Sequence, residues 1–491
     1  MTLRPSLRLM LDPRPVGYVI GLILAVLGLM MIPPMLVDIA EGREHWPVFF
    51  ESAVITALTG VLVALACRNV RHREISIRQG YLLTVGVWVV LPVFAAIPFM
   101  LGATDARFVD ALFEAMSGMT TTGATVFSQL ETLPKGLLLW RGILQWLGGL
   151  GIVIVAFLFL PIMRVGGMQF FKSESFDTLG KVMPRAIDIS KALLGTYLAL
   201  TMVCIVTYIL LGMTPFDATT HALTTVSTGG FANSDTSFSA YGGPIMYAAI
   251  LFMFLASVPF VRLMLVGSGQ FRPLMMDFQV QAYAGAILGA VLLVFVLRVS
   301  LGEPMDEEHF RHIAFNVMSI FSGTGYGDGD VTAWGAAPFV VLLAVGAIGG
   351  CTGSTGCSLK VFRYMVMFKA LAAQFRLIGS PNRILSPRLG GRPIERDVTE
   401  SVMLMFTMFI LTLGVMSVAL SLTGLPFLEA TTGAWTAIFN VGPAFGETVA
   451  DSGALTAFPD AAKYVMIFGM LLGRLELVVV YVLFTTTFWR G

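Results

Sequence analysis

Long apolar runs separated by short polar links dominate the chain. They lie near residues 16–37, 48–67, 81–101, 136–160, 192–212, 242–262, 278–299, 335–370, 401–422 and 458–489. Each is long enough for a helix across about 30 Å of hydrocarbon. None alternates with period two, so helices rather than barrel strands are predicted. After the first two, the runs come in pairs. Each pair brackets a connection of one design: a short apolar half-helix, a loop rich in Gly, Ser and Thr, then the next run. The four connections contain FVDALFEAMSGMTTTGATVFS, PFDATTHALTTVSTGGFANSD, FRHIAFNVMSIFSGTGYGDGD and FLEATTGAWTAIFNVGPAFGE.

This pattern predicts an all-α polytopic membrane protein with two leading transmembrane helices and four pseudo-symmetric helix–pore loop–helix repeats around one ion pore. The expected boundaries are 1–78 for the leading helices and 79–187, 188–276, 277–396 and 397–491 for the repeats. Composition agrees: of 491 residues 56% are hydrophobic and only 12% charged, with mean hydropathy +0.82, whereas about a quarter of residues are charged in soluble domains. The first apolar run continues to Met35 without an A-x-A-like cleavage site, so a retained span is expected rather than a signal peptide. The four cysteines, in or beside apolar segments and without CxxC spacing, read as buried free thiols with no metal site. Trp46, Trp140 and Trp334, near span ends, read as an interfacial belt.

The net charge of +1 conceals an asymmetry. Most Lys and Arg fall in the N-terminal tail, in alternate links (68–78, 164–191, 262–272 and 360–396) and at Arg490. The positive-inside tendency puts these links and both termini in the cytoplasm. Most Asp and Glu lie on the opposite connections, where an acidic face attracts cations.

One polar loop would read equally well as an external turn. Four in matching positions point to a shared site, because irregular backbone cannot face lipid and must be buried in protein or line water. The aligned glycines are Gly123, Gly230, Gly325 and Gly442. Glycine permits positive φ and a close approach of carbonyls to a narrow lumen. Rings of carbonyls replacing a hydration shell are a known solution for a dehydrated alkali cation. The third loop spells GTGYGD, close to the TVGYG filter of potassium channels. The candidate K+ filter is Thr121, Thr122, Gly123; Thr228, Gly229, Gly230; Thr324, Gly325, Tyr326; and Val441, Gly442, Pro443.

Two features fall below this level. The run AIGGCTGSTGCSLK (347–360) interrupts a long apolar span. A Walker loop is excluded by the missing Gly-Lys-Ser/Thr ending, and a kinked helix at a close helix contact is the bland alternative. The preferred reading is a polar loop hanging into the pore as a movable gate. Arg474 lies inside the last span, where a charge must face the bundle interior or water. Glu476, two residues on, faces elsewhere on a helix and is a poor partner. His221, His309 and His312 read as structural or surface histidines.

Beyond the loops SGMTTTGAT, TVSTGGF and NVGPAFG, the segments QWLGGLGIVIVAFLFLP (145–161), VGGMQFF (165–171), KVMPRAIDISKAL (181–193), GGCTGSTGCSLKVFR (349–363) and GRLEL (473–477) carry a resemblance. Over nearly its whole length the chain resembles the Trk/Ktr superfamily of potassium transporters, in its bacterial TrkH type. The resemblance implies a multi-pass inner-membrane protein that takes up K+, with Rb+ and Na+ as further permeants to compare. It implies a gate role for Gly349, Gly350, Cys351, Thr352, Gly353, Ser354, Thr355 and Gly356, and places Arg474 near the pore below the filter. It also implies a homodimer paired with a cytosolic TrkA-type nucleotide-binding subunit, for which links 164–191 and 360–396 are docking candidates; lipid headgroup contact explains the same charges.

The third loop departs from the family's usual threonine run followed by Gly-Phe. Here Ser322-Gly323-Thr324-Gly325-Tyr326-Gly327-Asp328 stands. Its two additional glycines are expected to loosen the backbone, with Tyr326 packing behind the filter. In the wider superfamily a serine in place of the first-loop glycine accompanies sodium permeation; Gly123 therefore favours potassium. A weakly selective K+/Na+ pathway and a coupled carrier of another solute are the alternatives. A membrane enzyme lacks any nucleophile–base or metal-ligand constellation.

Overall fold

A computed structural model of the chain describes residues 12–69, 76–158, 167, 186–304, 306–380, 382, 385–449 and 452–490. Within these residues the architecture is helical, apart from a short hairpin pairing Arg388–Leu389 with Arg392–Pro393. Seven helices are long and apolar enough to cross a membrane, and nine if each of two bent pairs counts as one span. Large apolar side chains such as Leu58, Leu62, Val206, Leu210, Ile410 and Val415 are exposed on the outer faces. The interior, by contrast, holds buried Glu114, Arg141, Gln145, Arg363 and Arg474. Apolar outside and polar inside is the arrangement a lipid solvent selects.

The described residues begin with a hairpin of Arg14–Leu29, continued by Ile32–Ala40, against Trp46–Ala66. Glycine lets these two backbones touch. A Cβ on Gly21 would lie 2.6 Å from the Ala64 amide nitrogen, and one on Gly60 would lie 2.5 Å from that of Ala25. Such small-residue contacts drive association where lipid removes the hydrophobic incentive. The buried Asp38 carboxylate then joins this hairpin to the next unit, accepting from Gly136 N at 2.7 Å and meeting His45 Nδ1 at 2.8 Å.

Four units follow. The first comprises Ile77–Ala95 with Ile97–Leu101, half-helix Phe108–Met119 and span Lys135–Leu158; the second, Ala186–Leu210, half-helix Pro215–Val226 and span Gly243–Ala256 with Phe260–Gly267. The third comprises Phe278–Ser300, half-helix Glu307–Ser322, and Ala336–Gly346 with Val361–Gly379; the fourth, Arg396–Ser421, half-helix Phe427–Phe439, and Asp460–Arg474 with Val478–Tyr481. Each half-helix carries acid in its first turn: Asp110, Asp217, Glu307 with Glu308, and Glu429. Carboxylates offset the positive end of the helix dipole there and leave the negative ends for the loops.

The second spans of units two, three and four are all broken. The third break, at 347–360, is the interruption expected from its Gly, Ser and Thr cluster. The runs 242–262 and 458–489 were expected to be continuous, yet each bends by 107°. Pro259, which lacks an amide hydrogen, follows the first bend. Glu476 and Leu477, at φ +58° and +51°, make the second. The backbone groups freed at the first bend find partners in distant sequence: Ser257 O accepts from Cys351 N at 2.8 Å, and Phe260 N donates to Gly353 O at 2.9 Å. That compensation is invisible to a hydropathy reading.

The tryptophan belt is also corrected. Trp46 is exposed, but Trp334 is buried beneath Arg298, and Trp140 is wholly enclosed, donating to Ala95 O at 3.0 Å. The basic link 164–191 lies outside the described residues except for Gly167 and 186–191.

Replacing Gly60 by leucine forces the leading helices apart. We expect a loss of about 1–3 kcal/mol, read as earlier thermal unfolding of the detergent-solubilised protein. An unchanged transition would mean that the close backbone contact is dispensable.

Candidate ion pathway

Each half-helix ends in the same way. The residues Thr121, Thr228, Gly323 and Asn440 adopt left-handed φ of +51°, +52°, +76° and +52°. The next amide reaches back five residues: Thr122 N to Ser117 O, Gly229 N to Thr224 O, Thr324 N to Ser319 O and Val441 N to Thr436 O, at 2.8–3.3 Å. This is Schellman closure, which satisfies carbonyls that a helix end leaves open. Glycine follows in every loop, again left-handed: Gly123, Gly230, Gly325 and Gly442 at φ +85°, +78°, +79° and +113°.

These glycines interlock around a ring. A Cβ on Gly123 would overlap the Gly229 carbonyl oxygen, one on Gly230 that of Thr324, and one on Gly325 that of Val441. The circle closes on Gly442, whose Cβ would lie 2.9 Å from Thr122 O. Loop one thus meets loop two, two meets three, three meets four and four meets one. Four carbonyls at equivalent positions converge where no side chain can enter.

The expected filter residues divide accordingly. Thr122, Gly229, Thr324, Val441 and the four glycines form the ring, while Thr121 and Thr228 are the turn residues beneath it. Pro443 packs on the third loop, its Cδ 3.1 Å from where a Gly325 Cβ would stand. Tyr326 turns away. Its fully buried ring packs on Phe238 and Phe315 at centroid distances of 4.7 and 6.5 Å. Its hydroxyl lies 2.6 and 3.1 Å from the Thr224 and Thr225 hydroxyls and donates to His221 O at 3.1 Å. The tyrosine carbonyl accepts from Ser319 Oγ at 2.8 Å.

The third loop is therefore pinned, where its glycines led us to expect loosening. Gly323 occupies the left-handed position that Thr and Asn fill elsewhere. Gly327 N donates to Ser237 Oγ at 3.1 Å, and Gly327 O accepts from Phe238 N at 3.0 Å. His312 bonds the Asp328 carboxylate, and Asn316 holds the Asp328 backbone at both ends, at 2.8 and 3.2 Å. His221 is buried with Nδ1 2.8 Å from Asp217 O, and His309 pairs with Asp306 at 2.6 Å. All three histidines thus have structural roles.

Several supporting residues went unrecognised in the sequence. Arg141 and Glu114 form a wholly buried pair at 2.8 Å. Glu114 also accepts from Val126 N at 3.0 Å, and Arg141 donates to Ala232 O at 2.8 Å, tying the first two loops together. Gln145 accepts from Phe231 N at 3.0 Å and donates to Gly229 O at 2.6 Å. Asn440 Nδ2 reaches Thr122 Oγ1 at 2.9 Å, joining loops four and one. An arginine and a glutamine in one apolar run were the available signals. On the acidic rim, Asp306 is held below the ordinary carboxylate range, chiefly by the His309 backbone N–H, and Glu131 by the Ser234 hydroxyl.

Below the ring, the loop 347–360 is largely buried and bonded to several elements. Thr355 Oγ1 donates to Val226 O at 3.1 Å and Ala256 O at 2.9 Å, while Ser358 Oγ donates to Gly346 O at 2.5 Å and Phe439 O at 3.1 Å. Thr355 and Ser358 thus tie the loop to the ends of two half-helices. The expected gate residues split. Cys351 and Gly353 bond Ser257 and Phe260, at the bend of unit two, while Thr352 N donates to the Gln279 side chain on the first span of unit three. Gly349 adopts φ +77° against Cys357. Gly350, Ser354 and Gly356 pack against one another, while Gly356, with Cys357, Ser358, Lys360 and Arg474, lines a cavity of about 10 Å³. That is room for about one water.

Arg474 NH1 lies 3.0 Å from Cys357 Sγ and 3.4 Å from Thr355 O. Glu476 pairs instead with Arg363 at 2.6 Å, in keeping with the expectation that it is a poor partner for Arg474. Of the four thiols, Cys204, Cys351 and Cys357 are buried and free, and Cys67 is free and partly exposed.

Four half-helices whose loops close on one axis define a polytopic membrane protein built around a single ion pathway. Comparison with known proteins agrees. The chain belongs to the TrkH family of cation transport proteins, whose profile matches residues 45–490. It is 38% identical to the Trk system potassium uptake protein TrkI of Halomonas elongata, covering 97% of each chain. Identity to TrkH of Escherichia coli K12 is 31%, over 97% of this chain and 99% of that protein. The crystal structure of the potassium transporter TrkH from Vibrio parahaemolyticus superposes with TM-score 0.90 at 30% identity, covering 98% of this chain and 100% of that one.

Tyr326→Phe keeps the ring and removes the hydroxyl that joins units two and three. We expect a loss of about 1–3 kcal/mol, measured by thermal unfolding in detergent. An unshifted transition would leave the hydroxyl without a structural role.

Proposed function

We propose that the chain takes up K+ across a bacterial inner membrane through a filter of loop carbonyls, gated by the loop 347–360. The cyclic interlock of Gly123, Gly230, Gly325 and Gly442 with the neighbouring carbonyls carries this reading. A carbonyl ring can replace the hydration shell of an alkali cation. The four half-helices add their partly negative C-terminal ends. The relatives named as potassium uptake proteins and a potassium transporter support K+ as the ion.

On this reading K+ gathers at the acidic rim, dehydrates at the ring and stops above Arg474. The guanidinium bonds the loop at Thr355 O and Cys357 Sγ. The blocking charge and the loop therefore move as one unit. The basic links support cytoplasmic termini, and the reading takes 79–187, 188–276, 277–396 and 397–491 as the repeats. A homodimer with a TrkA-type cytosolic subunit is the assembly proposed. Pinning of the third loop in the same geometry as the others favours K+ over Na+.

The test is Rb+ uptake into proteoliposomes containing the purified chain, with and without a TrkA-type partner, against excess K+ or Na+. Suppression by K+ and not by Na+ is expected. Equal suppression would refute selectivity, and no flux with the partner present would refute the pathway itself. Gly230→Ala places a Cβ on the Thr324 carbonyl and should reduce Rb+ flux by at least about tenfold while the protein still assembles. Wild-type flux in that variant would remove the ring from the pathway.

A further inference from the structure

The four ring carbonyls are equivalent in position but not in support. Among the described residues only one of them, Gly229 O, accepts a side-chain hydrogen bond, from Gln145 Nε2 at 2.6 Å. The same carboxamide accepts from Phe231 N at 3.0 Å, so it clamps the second loop on both sides of Gly230. Its orientation follows from its partners, since a flipped amide would set oxygen against oxygen and N–H against N–H. Gln145 is wholly buried, and its carboxamide fills the space that a Cβ on Gly229 would need. The glycine at this point of the second loop thus makes room for a clamp supplied by the adjacent span.

We propose that Gln145 is a positioning residue that sets the ion preference of the ring by holding the Gly229 carbonyl in place. The inference rests on the K+ pathway reading above. A smaller ion such as Na+ is well coordinated only if ring oxygens can close in on it. A carbonyl held from behind by an amide donor resists that movement and leaves Na+ under-coordinated. Gly229 O also touches the position of a Gly123 Cβ, so its displacement passes directly to the first loop. A glutamine that merely filled space would leave ion preference untouched when replaced by an apolar side chain of similar size.

Rb+ uptake against graded K+ and Na+, in proteoliposomes of wild type, Gln145→Leu and Gln145→Glu at matched protein, tests this. Gln145→Leu removes both hydrogen bonds and should lower the K+-over-Na+ ratio by about three- to tenfold, the equivalent of one net hydrogen bond, with maximal Rb+ flux changed less. Gln145→Glu can still accept from Phe231 N but donates to Gly229 O only when protonated. Its selectivity should therefore recover as pH falls through the mildly acidic range, in a profile that wild type lacks. Wild-type ratios in both variants at every pH would overturn the proposal. If Gln145→Leu does not assemble, the pH series of Gln145→Glu decides alone. A wild type without K+ preference would sink the pathway reading and this inference with it, a result recognisable before any variant is compared.

Discussion

Backbone that is neither helix nor sheet can lie within a membrane only if protein groups satisfy every amide and carbonyl that lipid leaves bare. This protein places four such stretches side by side, and the rest of the structure follows from making them mutually acceptable. Each loop closes its own half-helix by a five-residue back-bond and then offers a glycine to its neighbour's carbonyl. No loop could hold this shape alone, because its wall is the next loop. Buried side chains secure the ring from behind: Gln145 on the second loop, Asn440 between the fourth and first, and the Glu114–Arg141 pair between the first and second. The ion pair is wholly buried, which is tolerable because both charges are also hydrogen-bonded to backbone.

The four loops share a geometry while differing in chemistry. Thr121 and Thr228 hold left-handed backbone that β-branched residues avoid, at about 1–3 kcal/mol each. Asn440 takes the same turn more easily, and Gly323 takes it with no steric penalty. The absence of a Cβ at Gly323 also lets Cys357 approach, since an added Cβ would lie 2.9 Å from the Cys357 Cβ. Extra glycine in the third loop thus relieves strain and admits the lower loop. Order comes from the Tyr326 hydroxyl, the Asn316 clamp on Asp328 and the serines of the second unit.

The same constraint explains the level below the ring. Three of the four inner spans break there, and the breaks of units two and three satisfy each other's backbone groups. The loop 347–360 donates to the open carbonyls of Ala256 and Ser257 and receives the Phe260 amide on Gly353. Arg474, beside the last break, donates to the loop, while Glu476 within it pairs with Arg363. Charges enter this depth because the broken helices supply partners for them.

The sequence by itself determined the helical class, the leading pair and the fourfold design, because span length and the recurrence of half-helix and small-residue loop follow from local composition. The ring glycines were legible for the same reason: a residue without a Cβ, repeated in register, states a close approach. The interruption at 347–360 and the burial of Arg474 were legible because small polar runs and lone charges are costly in lipid. Only the tertiary structure decided which residue lies against which. The bend at Ser257–Pro259 depends on distant partners, as do the burial of Trp140, the turn of Tyr326 away from the ring, and the pairing of Glu476 with Arg363. Gln145 acts on a carbonyl 84 positions away in the chain. A hydropathy pattern registers what each segment must bury, and only folding fixes which groups satisfy the backbone it leaves open.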